Sequence, residues 1–229
     1  MSAPDVRAFT VGPVQENCYI VRADGDSARA VIVDPGEEAE RLLAGAAALG
    51  VEIEAILLTH CHFDHIGAVA PVAAATGAPV YCPVVERPVL ADVMSWVPPG
   101  FGPFESYEAD HTVAGGEHLS LAGLDIDVHF TPGHSPGHVT YAIAGALLAG
   151  DVLFQGSVGR VDLPGGDWAT LERSIGELLA AYPQETVVYP GHMGVTTLGR
   201  ERDTNPFLSE LRARIPGVGA SAATPAPGR

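Results

Sequence analysis

The chain has 229 residues, of which 47% are hydrophobic and 17% charged, so we expect a folded protein with a sizeable core. A formal net charge of −16 and a pI near 4.7 argue against nucleic acid binding, which needs clustered cations. No signal-peptide pattern and no apolar run near the roughly 18 residues of a membrane span are visible. Three Cys residues at irregular spacings do not resemble a disulfide framework. These features predict a cytoplasmic protein that binds no membrane.

The first half of the chain reads as strands with helices between them. Strand patterns at "CYIVRA" and "ARAVIVDPG" are followed by "EEAERLLAGAAALG", whose apolar residues recur at helical spacing and whose last residue is Gly50. "VEIEAILLTH" has the apolar end of a buried strand, and "APVYCP" is a further short strand. Between them "IGAVAPVAAATG" predicts a helix that Pro71 bends or interrupts.

The second half begins with a stretch without periodicity. Residues 94–110 are rich in Pro, Gly and aromatics, and form either a wall over a substrate or a loop folded on its own aromatics. Strand patterns follow in 118–134 and 138–151, then the amphipathic helix "DWATLERSIGELLAAYP" with Asp167 as N-cap, and the strand "ETVVYPGH". This order predicts two sheets covered by helices, in one domain over residues 1–215, with 216–229 as a disordered tail.

Three histidines and an aspartate crowd into the stretch "LLTHCHFDH", directly after an apolar strand. His60 and His62, two residues apart, point the same way if extended geometry persists, whereas Asp64 and His65 serve a different centre. A lone His after a strand is more often a hydrogen-bonded loop residue than a ligand. A cluster of this density favours metal binding instead.

Three more strands end in the same way, each running into a glycine-containing loop that presents one His or Asp. Together with the cluster they give seven possible ligands: His60, His62, Asp64, His65, His134, Asp151 and His192. Seven is too many for one tetrahedral zinc and suits two metals that share a ligand. The simplest partition gives His60, His62 and His134 to one metal and Asp64, His65 and His192 to the other, with Asp151 bridging. His138 competes with His134, but it opens the next strand and is expected to have a supporting role.

With those residues in place, the chain resembles the metallo-β-lactamase fold superfamily, whose signature is THxHxDH followed by separate His, Asp and His residues. "ENCYIV" and "VIVDPG" are also typical of it. The resemblance implies an α/β fold, a four-layer α/β/β/α sandwich, with a dinuclear site at one edge. The implied cofactors are two divalent metal ions, with zinc preferred and iron or manganese possible for such ligands.

Within the superfamily, "TPGHSPGH", "AGDVLFQGSVGRVD" and "PGHMGVTTLGRERDTNPFL" resemble the short bacterial form of glyoxalase II, a hydroxyacylglutathione hydrolase. Only 37 residues of the sequence follow His192, so we expect no counterpart of the helical domain that binds glutathione in full-length members, and Arg160 and Asp162 stand where that branch has Lys and Tyr. Arg160 is a candidate anchor for a substrate carboxylate, against the alternative of a structural salt bridge. "GRVD" is shared with the persulfide dioxygenase branch, which uses one iron.

The resemblance implies hydrolysis of a small-molecule acyl-thiol by a metal-bound hydroxide, with Asp64 both a ligand and the group that orients the nucleophile. A thiolate leaves without prior protonation, since the thiol pKa is about 8.5. An amide leaving group needs a proton donor, and the sequence offers no obvious one. The expectation is therefore a thioester hydrolase, with a mononuclear iron persulfide dioxygenase as the alternative. The sequence predicts no oligomeric state.

Overall fold

The structure, a computed structural model, describes residues 3–214. Within that range the strands are β1 (Asp5–Val11), β2 (Glu16–Arg22), β3 (Arg29–Val33), β4 (Glu52–Leu57), β5 (Val80–Pro83), β6 (His111–Val113), β7 (His118–Leu121), β8 (Leu124–Phe130), β9 (Val139–Ile143), β10 (Ala146–Gly150), β11 (Leu153–Phe154), β12 (Ser157–Val158), β13 (Val187–Pro190) and β14 (Thr196–Thr197). The helices are α1 (Ala39–Leu49), α2 (Phe63–Ile66), α3 (Val69–Thr76), α4 (Arg87–Ala91), α5 (Trp168–Ala181), α6 (Leu198–Thr204) and α7 (Ser209–Arg214).

Two large sheets divide the strands in chain order. The first has the order β1-β2-β3-β4-β5-β6 and the second the order β14-β13-β10-β9-β8-β7, while β11 and β12 form a separate pair. Strands β3 to β6 run parallel to one another. In the second sheet β8, β10 and β13 share one direction, because β9 is antiparallel to both β8 and β10 and β13 is parallel to β10. Strands of common direction therefore end at common edges.

The buried side chains form three layers of core, which identify a four-layer sandwich. Alternate residues of β2 face opposite ways: Ile20 packs outward with α1 and α3, and Tyr19 packs inward against the second sheet. In β10 the same alternation places Leu148 in the core between the sheets and Leu147 under α5. The predicted four-layer α/β/β/α sandwich is confirmed.

The long helices begin and end where the sequence predicts. Gly50 ends α1 at a φ of 68°, a left-handed conformation that favours glycine, and its N–H caps carbonyls of the last turn. The Asp167 side chain accepts a hydrogen bond from the Thr170 N–H and caps α5. The prediction for Pro71 was wrong in position: the break falls at 67–68, and Pro71 lies in the first turn of α3, where a missing N–H is tolerated.

The segment at 94–110 is irregular, apart from the 3₁₀ turn Val93–Ser95. The predicted tail, residues 216–229, lies outside the described residues, as does the end of the domain predicted for 1–215. Among the helices of the described part, none is long and apolar enough to cross a bilayer.

Candidate metal centre

Three histidine rings meet beyond the ends of β4 and β8. His60 Nε2 lies 3.1 Å from His62 Nδ1, and His134 Nε2 lies 2.8 Å from the same His62 atom. His60 and His134 are buried, while His62 is half-buried and lines a cleft. The three nitrogens form one set of possible metal ligands, the one predicted for the first metal.

A second set lies beside the first and combines Asp64, His65 and His192. His192 Nε2 is 3.2 Å from Asp64 Oδ2, and His65 Nε2 is 3.9 Å from the same oxygen. The short helix α2 carries Asp64 and His65, whereas His192 follows the end of β13. This grouping is the one predicted for a second metal.

Asp151 follows β10 and lies between the two sets. Its Oδ1 is 3.4 Å from His65 Nε2, and its Oδ2 is 3.5 Å from His134 Nε2 and 3.6 Å from His192 Nε2. One carboxylate thus faces nitrogens of both sets, as a bridging ligand would. All seven residues expected to bind metal are together at one edge of the sandwich.

The chemistry of these residues fits a pair of divalent cations. His65 Nε2 and Asp151 Oδ1 are buried and have no hydrogen-bond partner, which is costly unless a cation accepts their lone pairs. Ligands at about 2.0–2.1 Å from a tetrahedral zinc are separated by about 3.3–3.4 Å, and the ligand-to-ligand distances above span that value. Imidazole and carboxylate donors suit zinc, iron or manganese, so the donor set leaves the metal identity open.

The electrostatics of the two sets differ. Burial, with help from the neighbouring rings, lowers the pKa of His60 well below its usual value, and burial lowers the pKa of His62 to about 4. Burial would also lower the pKa of His65, but the carboxylates of Asp151 and Asp64 beside it raise that pKa well above its usual value. Without metal, His60 and His62 are therefore neutral, and the second set holds positive charge on His65 against two carboxylates.

Asp34 is a supporting residue that the sequence argument did not assign to the site. Its Oδ2 accepts from the Thr59 hydroxyl at 2.6 Å and lies 3.0 Å from His65 Nδ1, while its Oδ1 accepts from the Thr59 N–H at 2.7 Å. Asp34, His60 and His65 also have atoms close enough to hold an ion. Because Asp34 already accepts three hydrogen bonds, we assign it to orienting His65, whose Nε2 faces Asp151.

His134 and His138, the two competitors from the sequence, have different surroundings. His134 Nδ1 contacts the Arg160 carbonyl at 2.7 Å, which leaves Nε2 for the metal set. His138 is fully buried, and its Nε2 accepts a hydrogen bond from the Asp151 N–H at 3.0 Å. His138 therefore holds the loop of a predicted ligand and has no nitrogen left for a metal, since its Nδ1 meets the Thr131 hydroxyl at 3.0 Å.

Two side chains from the first half of the chain, Asn17 in β2 and Glu86 in the turn between β5 and α4, hold the ligand loops of the second sheet. Asn17 donates to the carbonyls of Pro190 and Met193 at 3.2 and 2.9 Å, on either side of His192. The Glu86 carboxylate accepts from the Ser135 hydroxyl at 2.8 Å and from the Gly137 N–H at 2.7 Å, directly after His134. These contacts fix the two loops against the opposite half of the protein.

The metal centre opens into a cleft of about 930 Å³. Part of the 94–110 segment lines it: Trp96 and Phe101 are on the wall, and Phe101 packs on Phe63 at 4.7 Å between ring centroids. Phe104 and Tyr107 instead pack on the core outside the first sheet. One part of the segment thus lines the cleft and another packs on the core, and contact of the segment with a substrate stays a prediction.

Arg160 lines the cleft, but it is paired within the chain. Its Nε and one terminal nitrogen each donate to an oxygen of Asp162 at 2.7 Å, so the contact is bidentate. Among the described residues on the cleft wall, Arg160 is the one cationic side chain other than histidine. A structural salt bridge of Arg160, one of the two alternatives from the sequence, is therefore present. A role of Arg160 in substrate binding stays a prediction.

Comparison with known proteins places the chain in a family. A family model described as the metallo-beta-lactamase superfamily matches residues 11–192. That range contains all seven candidate ligands. The chain belongs to the metallo-beta-lactamase superfamily. Superfamily membership agrees with the fold and with a candidate metal site of histidines and aspartates, and makes a metal-dependent hydrolase the broad assignment.

Curated relatives in the superfamily match over nearly their whole length. The probable metallo-hydrolase YqgX of Bacillus subtilis (strain 168) is 40% identical over 210 residues, which are 89% of this chain and 97% of the relative. The hydroxyacylglutathione hydrolase GloC of Haemophilus influenzae (strain ATCC 51907 / DSM 11121 / KW20 / Rd) is 33% identical over 210 residues, covering 90% and 98%.

Solved structures of the superfamily also match. The crystal structure of BLEG-1 B3 metallo-beta-lactamase is 40% identical with a TM-score of 0.84, covering 90% of this chain and 100% of that one. TTHA1623 in a di-iron-bound form is 42% identical with a TM-score of 0.72, covering 89% and 100%. ETHE1 from Myxococcus xanthus is 28% identical with a TM-score of 0.74, covering 88% and 83%.

Proposed function

We propose that this superfamily member is a dinuclear metal hydrolase that cleaves the thioester of small hydroxyacyl-thiol conjugates. The observation that carries the proposal is the pair of three-residue ligand sets that share Asp151 at the base of an open cleft. Similarity to the hydroxyacylglutathione hydrolase GloC supports thioesters as the substrate class.

The residues of the site have separate roles in this proposal. His60, His62 and His134 would hold one cation, Asp64, His65 and His192 the other, and Asp151 both. Bound there, two cations supply Lewis-acid activation of a water and of the substrate carbonyl. Asp64, which lines the cleft, would accept a hydrogen bond from the attacking water and orient it. Asp34 keeps His65 in place through Nδ1.

The nature of the leaving group favours a thioester over an amide. A thiolate, whose conjugate acid has a pKa of about 8.5, departs without prior protonation, so the chain need not supply a proton donor. The cleft wall has few polar groups beyond the ligands and their loops, and Asp64 and Asp151, whose pKa values are lowered, are not donors. An amide would need such a donor.

Element analysis of the purified protein, run alongside a substrate panel, tests the proposal. The panel contains lactoyl thioesters of several thiols, a β-lactam, and a persulfide supplied with oxygen. The expected result is two metal equivalents per chain and turnover of at least one thioester, abolished by chelation. Two bound metals without hydrolysis of any thioester would contradict it, and preferential opening of the β-lactam would replace the substrate class.

A second candidate is a mononuclear iron persulfide dioxygenase. The "GRVD" stretch, residues 159–162, supports it, as does the similarity to ETHE1. It predicts a single iron per chain and oxygen consumption on a persulfide, with the second ligand set empty. Two metals and no oxygen uptake would rule it out.

A further inference from the structure

The wall of the cleft is made mostly of hydrocarbon and aromatic side chains. Trp96 is 56% exposed and Met193 is 57% exposed, and both face the cleft. Phe154 lies beside the candidate ligand His192 at 5.8 Å between ring centroids, and Phe101 packs against Phe63 next to Asp64. Large apolar side chains that stay exposed around a polar centre indicate an apolar ligand, because burying them on binding is favourable.

The charge around the cleft disfavours an anionic ligand. The two oxygens of Asp162 occupy the Arg160 guanidinium, whose hydrogen bonds lower the pKa of Asp162 to about 2, so this carboxylate is ionised throughout the physiological range. Glu86 adds another carboxylate to the wall, and the chain carries a net charge of −16. A carboxylate on the thiol half would compete with the tethered Asp162 for Arg160 and, away from the two cations proposed at the base of the cleft, would meet repulsion from the net negative charge of the protein.

We infer that the cleft selects thioesters whose thiol half is uncharged and apolar, and that it discriminates against carboxylate-bearing thiols such as glutathione. This inference rests on the proposed thioesterase function and specifies its substrate class. The volume of about 930 Å³ is large for a lactoyl group alone and leaves room for an aromatic or branched thiol half. The apolar walls beside Asp64 and His192 would cover it.

A matched series of thioesters separates charge from apolar contact. The lactoyl group is kept constant on three thiols: benzyl mercaptan (neutral, apolar), N-acetylcysteine amide (neutral, polar) and N-acetylcysteine (one carboxylate). With the metal-loaded enzyme we expect kcat/KM to fall in that order, by at least about tenfold overall. Added salt should narrow the gap between amide and carboxylate and leave the gap between benzyl and amide unchanged.

Two variants test the two causes separately. Trp96→Ala should raise KM for the benzyl thioester about tenfold with little change for the carboxylate, and Trp168→Ala, outside the cleft wall, is its control. Asp162→Asn should raise kcat/KM for the carboxylate substrate several-fold by releasing Arg160. Asp203→Asn is its control, because Asp203 pairs with Arg202 at 2.8 Å away from the cleft wall.

Binding without turnover distinguishes the inference from the proposed function. Trp168→Phe leaves Trp96 as the one Trp of the chain, so its fluorescence reports binding of thioethers in which a methylene replaces the thioester carbonyl. Tighter binding of the benzyl thioether with no thioester hydrolysed would refute the thioesterase function and leave the apolar preference standing. Equal or tighter binding and faster turnover of the carboxylate compounds would overturn the preference and leave hydrolysis intact.

Discussion

Asp34 and His65 form a buried contact of 3.0 Å between a carboxylate oxygen and Nδ1, on the side of the ring away from Asp151. Asp34 is buried, and the Thr59 N–H and hydroxyl fix its orientation. The contact selects the tautomer of His65 that presents a free Nε2 to a metal.

Asp34→Asn should weaken metal binding by the second set about 10–100-fold, because the amide accepts less strongly and turns a donor toward one of its present partners. Calorimetric titration of the metal-free protein with zinc measures the change in affinity. Asp125→Asn, at an exposed position of β8, is the control. Two sites of unchanged affinity in the Asp34 variant would contradict the orienting role.

His134→Ala and His138→Ala should separate a ligand from a supporting residue. His134→Ala removes one nitrogen from the first set and should reduce bound metal toward one equivalent per chain. His138→Ala leaves the buried Asp151 N–H without its acceptor and should cost about 1–3 kcal/mol in metal-free protein. Element analysis and urea unfolding in chelator make the comparison, and the reverse pattern would exchange the two roles.

Gly191 should tolerate no side chain. A Cβ built there would clash with Asp151 Oδ1 and lie 2.6 Å from His65 Cε1, so Gly191→Ala must displace the shared ligand and a residue of the second set. We expect loss of metal binding and of activity. Gly176→Ala is the matched control: its Cβ makes ordinary contact with Leu211 at 3.5 Å, and Ala inside α5 should add up to about 1 kcal/mol of stability. Normal metal content in Gly191→Ala would show that the loop around Gly191 shifts to accommodate a side chain without displacing the ligands.

Glu16 is buried, its two carboxylate oxygens have no hydrogen-bond partner, and burial raises its pKa well above the usual value. In metal-free protein the folded state therefore binds a proton that the unfolded state releases, so the stability contributed by Glu16 is complete below the unfolded pKa of about 4.3 and falls as pH rises toward the folded value.

Glu16→Gln cannot ionise and should remove that loss. In chelator, its Tm should exceed that of the wild type by more at pH 8 than at pH 5. Glu52→Gln, at an exposed position, is the control for removal of one carboxylate. A difference in Tm that does not grow with pH would show that other groups of the folded protein stabilise the ionised Glu16 carboxylate.

The predicted ligand residues were accessible to sequence reasoning because all of them lie in the segments that follow the ends of β4, β8, β10 and β13, and strands of common direction end at a common edge. Asp34 obeys the same rule, since it follows β3 as Asp151 follows β10, so the local pattern contained a signal for it. Its partner His65 is 31 residues away along the chain, and no spacing indicates that pairing.

Other features depend on distant contacts and have no local pattern. Glu86 lies on a turn that gives no hint of the loop at 135–137, 49 or more residues further on. The break at 67–68, before Pro71, separates the short helix α2, which carries Asp64 and His65, from α3. Helix propensity alone does not predict this break. The pairing of Arg160 with Asp162 joins exposed residues two apart, a spacing compatible with either contact or separation.

The first sheet uses strands from residues 5–113 and the second uses strands from 118–197, so each half of the chain builds its own sheet. The first half contributes His60, His62, Asp64 and His65, and the second contributes His134, Asp151 and His192. A chain cut at 114–117 would yield two fragments, each with an incomplete coordination sphere. Metal uptake would then report the reassembly of the two fragments, and this fold is a natural starting point for a cation-dependent split reporter.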